Sequence, residues 1–379
     1  MNQELTYWVA LAHTPKMWTA RKNEIIAYCF QQGNTIVDFF NSDCFLNMEL
    51  KPQEIELLQQ TKKELANYAF MVEDLLDQGY DVIPLTSKEY SPTLKCNLKY
   101  NSPIVLYTKG NKQILQEKSI AIVGSRNANE LSLQFTDNVA MKASEEFSVV
   151  VSGFAKGVDK QALDSALSYK GQSIIVLPQG ITTFSSGMKK YYKQIIDGNV
   201  LVLSTFHPKL PWSVDLAMAR NSIIYGLSSE IYVALSDDKG GTWSGVTEGL
   251  KKGRKVFVRM PEKNEKCANL KLISMGALPV GINGETIQID SIKSNTPIDT
   301  TISTPSVEDN IEDKICKLLA NGSYSSRQII DNLNLSGYSV QKMTIILSKM
   351  KNVSKIKEGK STRYSLLSTK RPMQLSLML

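Results

Sequence analysis

The sequence predicts an α/β protein in which a doubly wound parallel sheet lies between a small N-terminal helical domain and a C-terminal domain of helices and a hairpin. Two observations predict the sheet. Six apolar runs of strand length, Ile120–Val123, Val149–Val151, Ile174–Leu177, Val200–Leu203, Ile231–Leu235 and Val256–Val258, are continuous rather than alternating, as expected of strands buried on both faces. Stretches of helical period separate them, such as Leu131–Glu146 with Phe135, Val139 and Met141, which is the pattern of βαβ units. Six such strands with helical crossovers make a Rossmann-like domain over residues 119–290.

The elements on either side follow from local pattern. In residues 1–80, Trp8, Leu11 and Ala12, then Ile25, Ile26 and Cys29, then Ile55, Leu57 and Leu58, then Leu65, Tyr68 and Ala69 recur at near-helical spacing, predicting a small helical domain of the SAM or helix-hairpin kind. Residues 81–118 carry Pro84, Pro92 and Pro103 around short runs such as Val105-Leu106-Tyr107, and read as strands and turns of a connecting extension. Residues 291–307, rich in Ser, Thr and Pro, read as a linker. Beyond it come helices at Glu308–Ala320, Ser326–Leu333 and Ser339–Met350, the last with Ser339 as N-cap and Val340, Met343, Leu347 and Met350 on one face. Two short strands around Glu358-Gly359 complete the order of a winged helix over 308–367, and 368–379 is a tail.

Composition narrows the function. A chain of 379 residues, 42% hydrophobic and 21% charged, has the make-up of a globular protein of two or three domains. Cys29, Cys44, Cys96, Cys267 and Cys316 are scattered without a Cys-x-x-Cys spacing, so no disulfide framework or zinc site is expected, and a reducing cytoplasm fits. The start lacks a basic region followed by an apolar run, and no stretch of about 18 apolar residues occurs, so no membrane role is expected. His13 and His207 are the only histidines, which leaves little for histidine catalysis or metal binding, and His207, before Pro208, reads as a surface residue. The net charge of +7 is uneven: from Val307 onward twelve Lys/Arg stand against six Asp/Glu, a net of +6, leaving +1 for the first 306 residues.

Ligands of an open α/β sheet bind beyond the carboxyl ends of the strands. There the sequence places Gly124-Ser125-Arg126-Asn127, Ser152-Gly153-Phe154-Ala155-Lys156-Gly157, Pro178-Gln179-Gly180 and Asp237-Asp238-Lys239-Gly240-Gly241-Thr242. Glycine lets backbone N–H groups approach a ligand, the first two loops add cations, and helix N-termini add partial positive charge, so the loops describe a phosphate cradle. A dinucleotide is disfavoured because Gly-x-Gly-x-x-Gly is missing, and nucleoside triphosphate hydrolysis because Gly-x-x-x-x-Gly-Lys-Ser/Thr is missing. A polymer of phosphates remains, gripped by Arg126 and Arg220 with point charge from Lys156, Lys189 and Lys190. Phe154 and Trp243 are candidates for stacking on bases, Trp243 the better one because it lies beside glycines. Asp159, at the start of the next helix, reads as an N-cap carboxylate or a pocket group.

Gly124-Ser125-Arg126, Ser152-Gly153-Phe154-Ala155-Lys156-Gly157-Val158-Asp159 and Arg220-Asn221-Ser222-Ile223-Ile224-Tyr225-Gly226-Leu227-Ser228 resemble, in order and spacing, the motifs of the DNA-processing protein A (DprA, or Smf) family. Tyr90–Leu94, Pro103–Gly110 and Gly276-Ala277 resemble its flanking segments, so the likeness spans about residues 1–290. The resemblance implies a non-catalytic, usually dimeric, cofactor-free protein that binds single-stranded DNA and helps load a RecA-type recombinase in natural transformation. It implies phosphate contacts at Gly124, Ser125 and Arg126, with Lys156, Gly157, Arg220 and Asn221 in the same pocket and Lys189 or Lys190 near a family basic residue, and the strand-end loops add Ser152, Gly153, Gly241 and Thr242 as phosphate-binding candidates. The chain departs from the family's pattern at Ala162-Leu163, Phe184–Met188 and Gly240–Val246, changes expected at the pocket mouth. The rival reading is a nucleotide-binding sensor or hydrolase similar to the LOG-type phosphoribohydrolases, which use Gly-Gly-x-Gly-Thr-x-x-Glu. Here the third residue after Thr242 is Gly245, and Glu248 comes three positions too late. In the winged helix nine Lys/Arg between Lys342 and Arg371 face Glu358 alone, and Lys355, Lys357, Lys360 and Arg363 flank the wing turn, which suits duplex phosphates, with a protein partner as the alternative.

Overall fold

The structure is a computed structural model, and it describes residues 2–42, 48–287, 311–320, 322–333, 335, 340–350, 352–358 and 361–366. The expected linker, the C-terminal tail, the cap at Ser339 and Lys360 lie outside the described residues. The chain divides into two compact units, Met1–Thr296 and Pro297–Leu379.

The first unit begins with helices α1 (Asn2–His13), α2 (Thr19–Gln31), α3 (Ile36–Asn41), α4 (Pro52–Lys63) and α5 (Leu65–Asp77). Strand β1 (Asp81–Pro84), helix α6 (Pro92–Leu98) and strand β2 (Val105–Gly110) follow. The alternating part runs β3 (Ser119–Val123), α7 (Glu130–Glu145), β4 (Val149–Ser152), α8 (Val158–Ser168), β5 (Ser173–Val176), α9 (Ser185–Lys190), α10 (Tyr192–Ile196) and β6 (Val200–Ser204). It continues through α11 (Val214–Leu227), β7 (Glu230–Val233), α12 (Gly241–Lys251), β8 (Lys255–Arg259), α13 (Asn269–Ser274) and β9 (Leu278–Val280).

All six predicted strands form, and the sheet has nine, in the order β1-β2-β6-β5-β4-β3-β7-β8-β9. From β6 to β9 every pairing is parallel, while β2 joins β6, and β1 joins β2, antiparallel. The connecting extension is therefore part of the sheet. It also holds a helix where turns were expected: Pro92 occupies the first position of α6, where its missing N–H costs nothing, and Ser91 caps it by accepting the Leu94 N–H at 3.3 Å.

Strand periodicity puts Ile120 and Ile122 of β3 into one core layer, with Phe135 and Val139 of α7, and Ala121 and Val123 into the other. That second layer runs without a break from Val258 through Leu203 and Tyr107 to Leu11, Phe39 and Leu75, so α1–α5 share their core with the sheet. His207 is half-buried rather than a surface residue: its ring stands edge-on to His13 at 5.1 Å, and His13 Nε2 meets the buried Tyr107 hydroxyl at 2.7 Å. Among the described residues, no helix is long and apolar enough to cross a membrane, and no group of three or more His, Cys, Asp and Glu is placed to hold a metal ion.

The second unit contains α14 (Ile311–Leu319), α15 (Ser326–Asn332), α16 (Val340–Lys349) and the antiparallel pair β10 (Val353–Glu358) and β11 (Ser361–Leu366). Ile315, Leu319, Ile329, Met343, Leu347, Met350 and Tyr364 form its core. Val340, expected on the same face, is instead exposed at the start of α16.

Enclosure pushes the His13 pKa from 6.5 down to about 3, with the charges of His207 and Lys22 acting in the same direction. The unfolded chain thus takes up this proton at higher pH than the folded one, and the stability tied to neutral His13 is complete above pH 6.5 and lost as the pH falls towards 3. Denaturant melts are expected to show about 1–2 kcal/mol less stability at pH 5 than at pH 7 from this site. His13→Gln should flatten that part of the profile, and an unaltered slope in the variant would rule the effect out.

Candidate nucleic-acid interface

The chain leaves β3 in the middle of the sheet and returns to it at β7 after passing through β4, β5 and β6 on one side, so β3 and β7 flank the topological switch point. The loops after them are tied together there. Ser125 donates its N–H to Leu235 O at 2.9 Å, and Thr242 Oγ1 donates to Gly124 O at 3.1 Å. Asn221 Nδ2, from α11, donates to Gly241 O at 3.3 Å. Gly157 closes the β4 loop onto the β3 loop with φ +87°; a Cβ there would lie 2.5 Å from Ser125 O, so only glycine serves.

These loops enclose a cleft of about 400 Å³ whose lining includes Gly124, Ser125, Arg126, Asn221, Gly241 and Thr242. A second lobe of about 240 Å³ carries Lys156, Gly153, Phe154 and Trp212, and shares Arg126, Ala155, Ala217 and Arg220 with the first. α8 and α12 start at Gly157 and Gly240 without a side-chain cap; in α8 the first N–H groups are held within the protein, Val158 N–H by Ser125 O at 3.4 Å and Lys160 N–H by Ala155 O at 3.0 Å, so the positive helix end offered to a ligand is that of α12.

The two arginines of the cleft have different employments. Arg126 is exposed and borders both lobes. Arg220 is only 4% exposed: Nη1 donates to Val176 O at 2.9 Å, Nη2 stands 3.9 Å from Asp159 Oδ2, and Nε has no hydrogen-bond partner. Its guanidinium fills the space above Gly153, where a Cβ would sit 1.6 Å from Nη1. Asp159 is not the N-cap of α8, a place taken by Gly157; its carboxylate lies buried in the first turn, accepting backbone N–H groups of Gly153 and Ala155. Burial pushes the Asp159 pKa up and the Arg220 pKa down, and each charge opposes the shift of the other.

The other sequence candidates separate by position. Lys156 is exposed in the second lobe. Ser152 is buried, its hydroxyl donating to Ile122 O at 2.9 Å between neighbouring strands. Lys189 is exposed on α9, outside the lining of either lobe, and Lys190 is engaged with Asp164 at 3.5 Å and the Tyr191 hydroxyl at 2.8 Å. Phe154, at φ +61°, forms part of the second lobe's wall with its ring edge-on to Phe184 at 5.1 Å and Tyr191 at 5.6 Å. Trp243 packs on the sheet core and lines neither lobe. Leu163 is likewise in the core rather than at the mouth, Phe184 lines the second lobe, and Gly245 is buried where a Cβ would meet the Tyr225 ring at 2.1 Å. In the second unit Lys355 is exposed on β10 and Arg363 half-buried on β11, while the Lys357 side chain lies outside the described residues. Sequence reasoning missed the Asp159–Arg220 contact, for which no spacing gives a signal, and Trp212, which a lone tryptophan beside a helix cap marks only weakly.

Residues 81–289, more than half of the chain, match the model of the family described as DNA recombination-mediator protein A. The chain belongs to that family. It is 33% identical to the DNA processing protein DprA of Streptococcus pneumoniae over 159 residues, 42% of this chain and 56% of that protein. To the DNA processing protein DprA of Bacillus subtilis it is 30% identical over 205 residues, 53% of this chain and 68% of that protein. The matched stretch thus spans little more than half of the pneumococcal protein and about two thirds of the Bacillus one. The X-ray structure of the pneumococcal protein superposes with a TM-score of 0.57 at 22% identity, covering 78% of this chain and 99% of that one, which shows a common fold.

Within a family cleft, the two arginines make opposite expectations. Arg220→Ala removes the partner of a buried carboxylate and should cost about 3–5 kcal/mol in denaturant melts. Arg126→Ala, at an exposed position, should stay within about 0.5 kcal/mol of the parent. Equal losses in the two variants would contradict this division of roles.

Proposed function

We propose that the chain binds single-stranded DNA, with backbone phosphates seated in the switch-point cleft, and acts as a recombination mediator rather than as an enzyme. The observation that carries this reading is the pairing of exposed Arg126 and Lys156 with glycine loops and the uncapped start of α12 at one sheet edge, a set of donors suited to phosphate oxygens. Arg126 takes the bidentate phosphate contact, Ser125 and the N–H groups around Gly124, Gly157, Gly241 and Thr242 surround it, and Lys156 adds point charge. Arg220, Asn221, Ser152 and Gly153 shape the cleft from beneath. Since the donors lie in a concavity, an unpaired strand, able to turn its phosphates inward, fits better than a duplex. Membership of a recombination-mediator family supports a partner of the RecA-recombinase class, action as a pair of copies, and a place in the cytoplasm.

The last unit is read as a winged helix, from its order of three helices and a hairpin, joined to the core by a linker over 291–307. The net charge of +6 from Val307 onward and exposed Lys355 suit contact with duplex phosphates, Lys357, Lys360 and Arg363 being the other wing candidates. Hydrolysis of the LOG type is not favoured: Glu248, the nearest glutamate to the Gly240-Gly241-Thr242 segment, is exposed, paired with Lys252 at 2.5 Å, and lines neither lobe.

A fluorescence-anisotropy titration of a labelled oligonucleotide across salt tests the proposal. Affinity should fall with salt at a log–log slope of about 0.7 per phosphate neutralised. Arg126→Ala should weaken binding about tenfold or more and lower the slope by about one. A chain ending at Asp290 should lose much of the salt dependence and keep the part that requires Arg126. No binding at low salt would overturn the proposal.

A further inference from the structure

We infer that Trp212 is the platform on which this cleft receives an unpaired nucleobase, so that the second lobe reads the base plane while the first holds the phosphates. The inference rests on the single-strand reading above and adds a residue and a ligand group to it.

Trp212 is 51% exposed, although the backbone on either side of it is fixed. Before it, Gly180 N–H donates to Leu210 O at 2.8 Å, and Thr182 donates to Pro208 O through its N–H at 3.2 Å and its hydroxyl at 2.7 Å. A Cβ on Gly180 would lie 2.1 Å from Pro208 O, so this close approach requires glycine. After it, Ser213 caps α11 by accepting the Leu216 N–H at 3.2 Å. An indole held this way loses little further freedom on binding a ligand.

An apolar residue just before an N-cap commonly packs on the fourth helical residue as a hydrophobic staple. Here that residue is Ala217, whose methyl group cannot cover an indole, and Ala217 itself lines both lobes. Packing therefore does not account for Trp212. The lobe beside it has Phe154 and Phe184 in its wall, the cations Arg126, Lys156 and Arg220 around it, and no carboxylate in its lining. Its volume of about 240 Å³ is below the range of about 300–1,000 Å³ typical of whole small-molecule sites, and suits a single planar group attached to something held next door. An aromatic face next to cations that hold phosphate is the combination by which single strands are bound without sequence preference.

The test compares two labelled strands of about 15 nucleotides, oligo-dT and a wholly abasic strand with the same phosphates, on the full chain. The parent protein should bind the abasic strand about 5- to 100-fold more weakly than oligo-dT. Trp212→Ala should lose a comparable factor on oligo-dT, bind the abasic strand as the parent does, and keep the parent's salt slope; Trp212→Phe should recover most of the loss, and Trp212→Leu should not. Equal affinity of parent and Trp212→Ala for oligo-dT, or an equal loss on both strands, overturns the inference and leaves the phosphate cleft standing. Failure of the parent protein to bind either strand overturns the single-strand reading and the inference with it.

Discussion

The cleft depends on one buried guanidinium. Arg220 comes from α11, hydrogen-bonds the end of β5 at Val176, faces Asp159 in the first turn of α8, and lies on Gly153 at the end of β4. Four elements beside the switch point, on the β4 side, are thereby fixed by a single side chain. Asp159 extends the arrangement by accepting the N–H groups of Gly153 and Ala155, which shapes the β4 loop from below. A charge so enclosed is tolerated only with partners, and losing one partner costs more than the pair contributes. The outer surface of the loop is then free to present Lys156, and the β3 loop to present Arg126, without either having to hold the backbone in place.

How much of this was legible follows from which forces leave a local trace. Continuous apolar runs are dictated by burial on two faces, and all six strands predicted from them form. The edge strands β1 and β9 are short, and their pairing is decided by partners elsewhere in the chain, so their sequences show little more than scattered apolar residues, whereas β2, between β1 and β6, was visible in its Val105-Leu106-Tyr107 run. Pro92 reads as a breaker because proline ends many elements, yet at the first helical position it starts one, and only the Ser91 cap distinguishes the cases. The glycine loops and Arg126 were visible because strand ends are visible. Arg220 was seen as an arginine near the site, but nothing in its neighbours tells a phosphate grip from a buried brace.

The tryptophans show the same limit and a remedy. Trp243 looks available beside Gly240 and Gly241, but Trp243, Val246 and Leu250 recur at helical spacing, and that stripe turns the indole onto the core. Periodicity within its own helix was the better guide. Trp212 precedes its helix and belongs to no stripe, so its burial depends on what the fourth residue offers, and Ala217 offers a methyl group. Reading cap positions together with the size of the staple partner distinguishes a packed aromatic residue from a presented one.

The uneven charge now has a structural meaning. A net of +1 over the first 306 residues gives that stretch no long-range attraction for a polyanion, so on the proposed single-strand reading its affinity comes from the few cations at the cleft, which act over contact distances. The positive end of α12 and the N–H groups of the glycine loops add to these cations in attracting an anion, so on that reading a small number suffices for a strand that enters the concavity. The +6 of the last 73 residues acts differently, as a diffuse field that raises encounter rates and falls off with salt. In the proposed function, capture and seating thus fall to different stretches of the chain: the C-terminal charge would bring a strand near, while the geometry fixed by Arg220 would determine whether it stays.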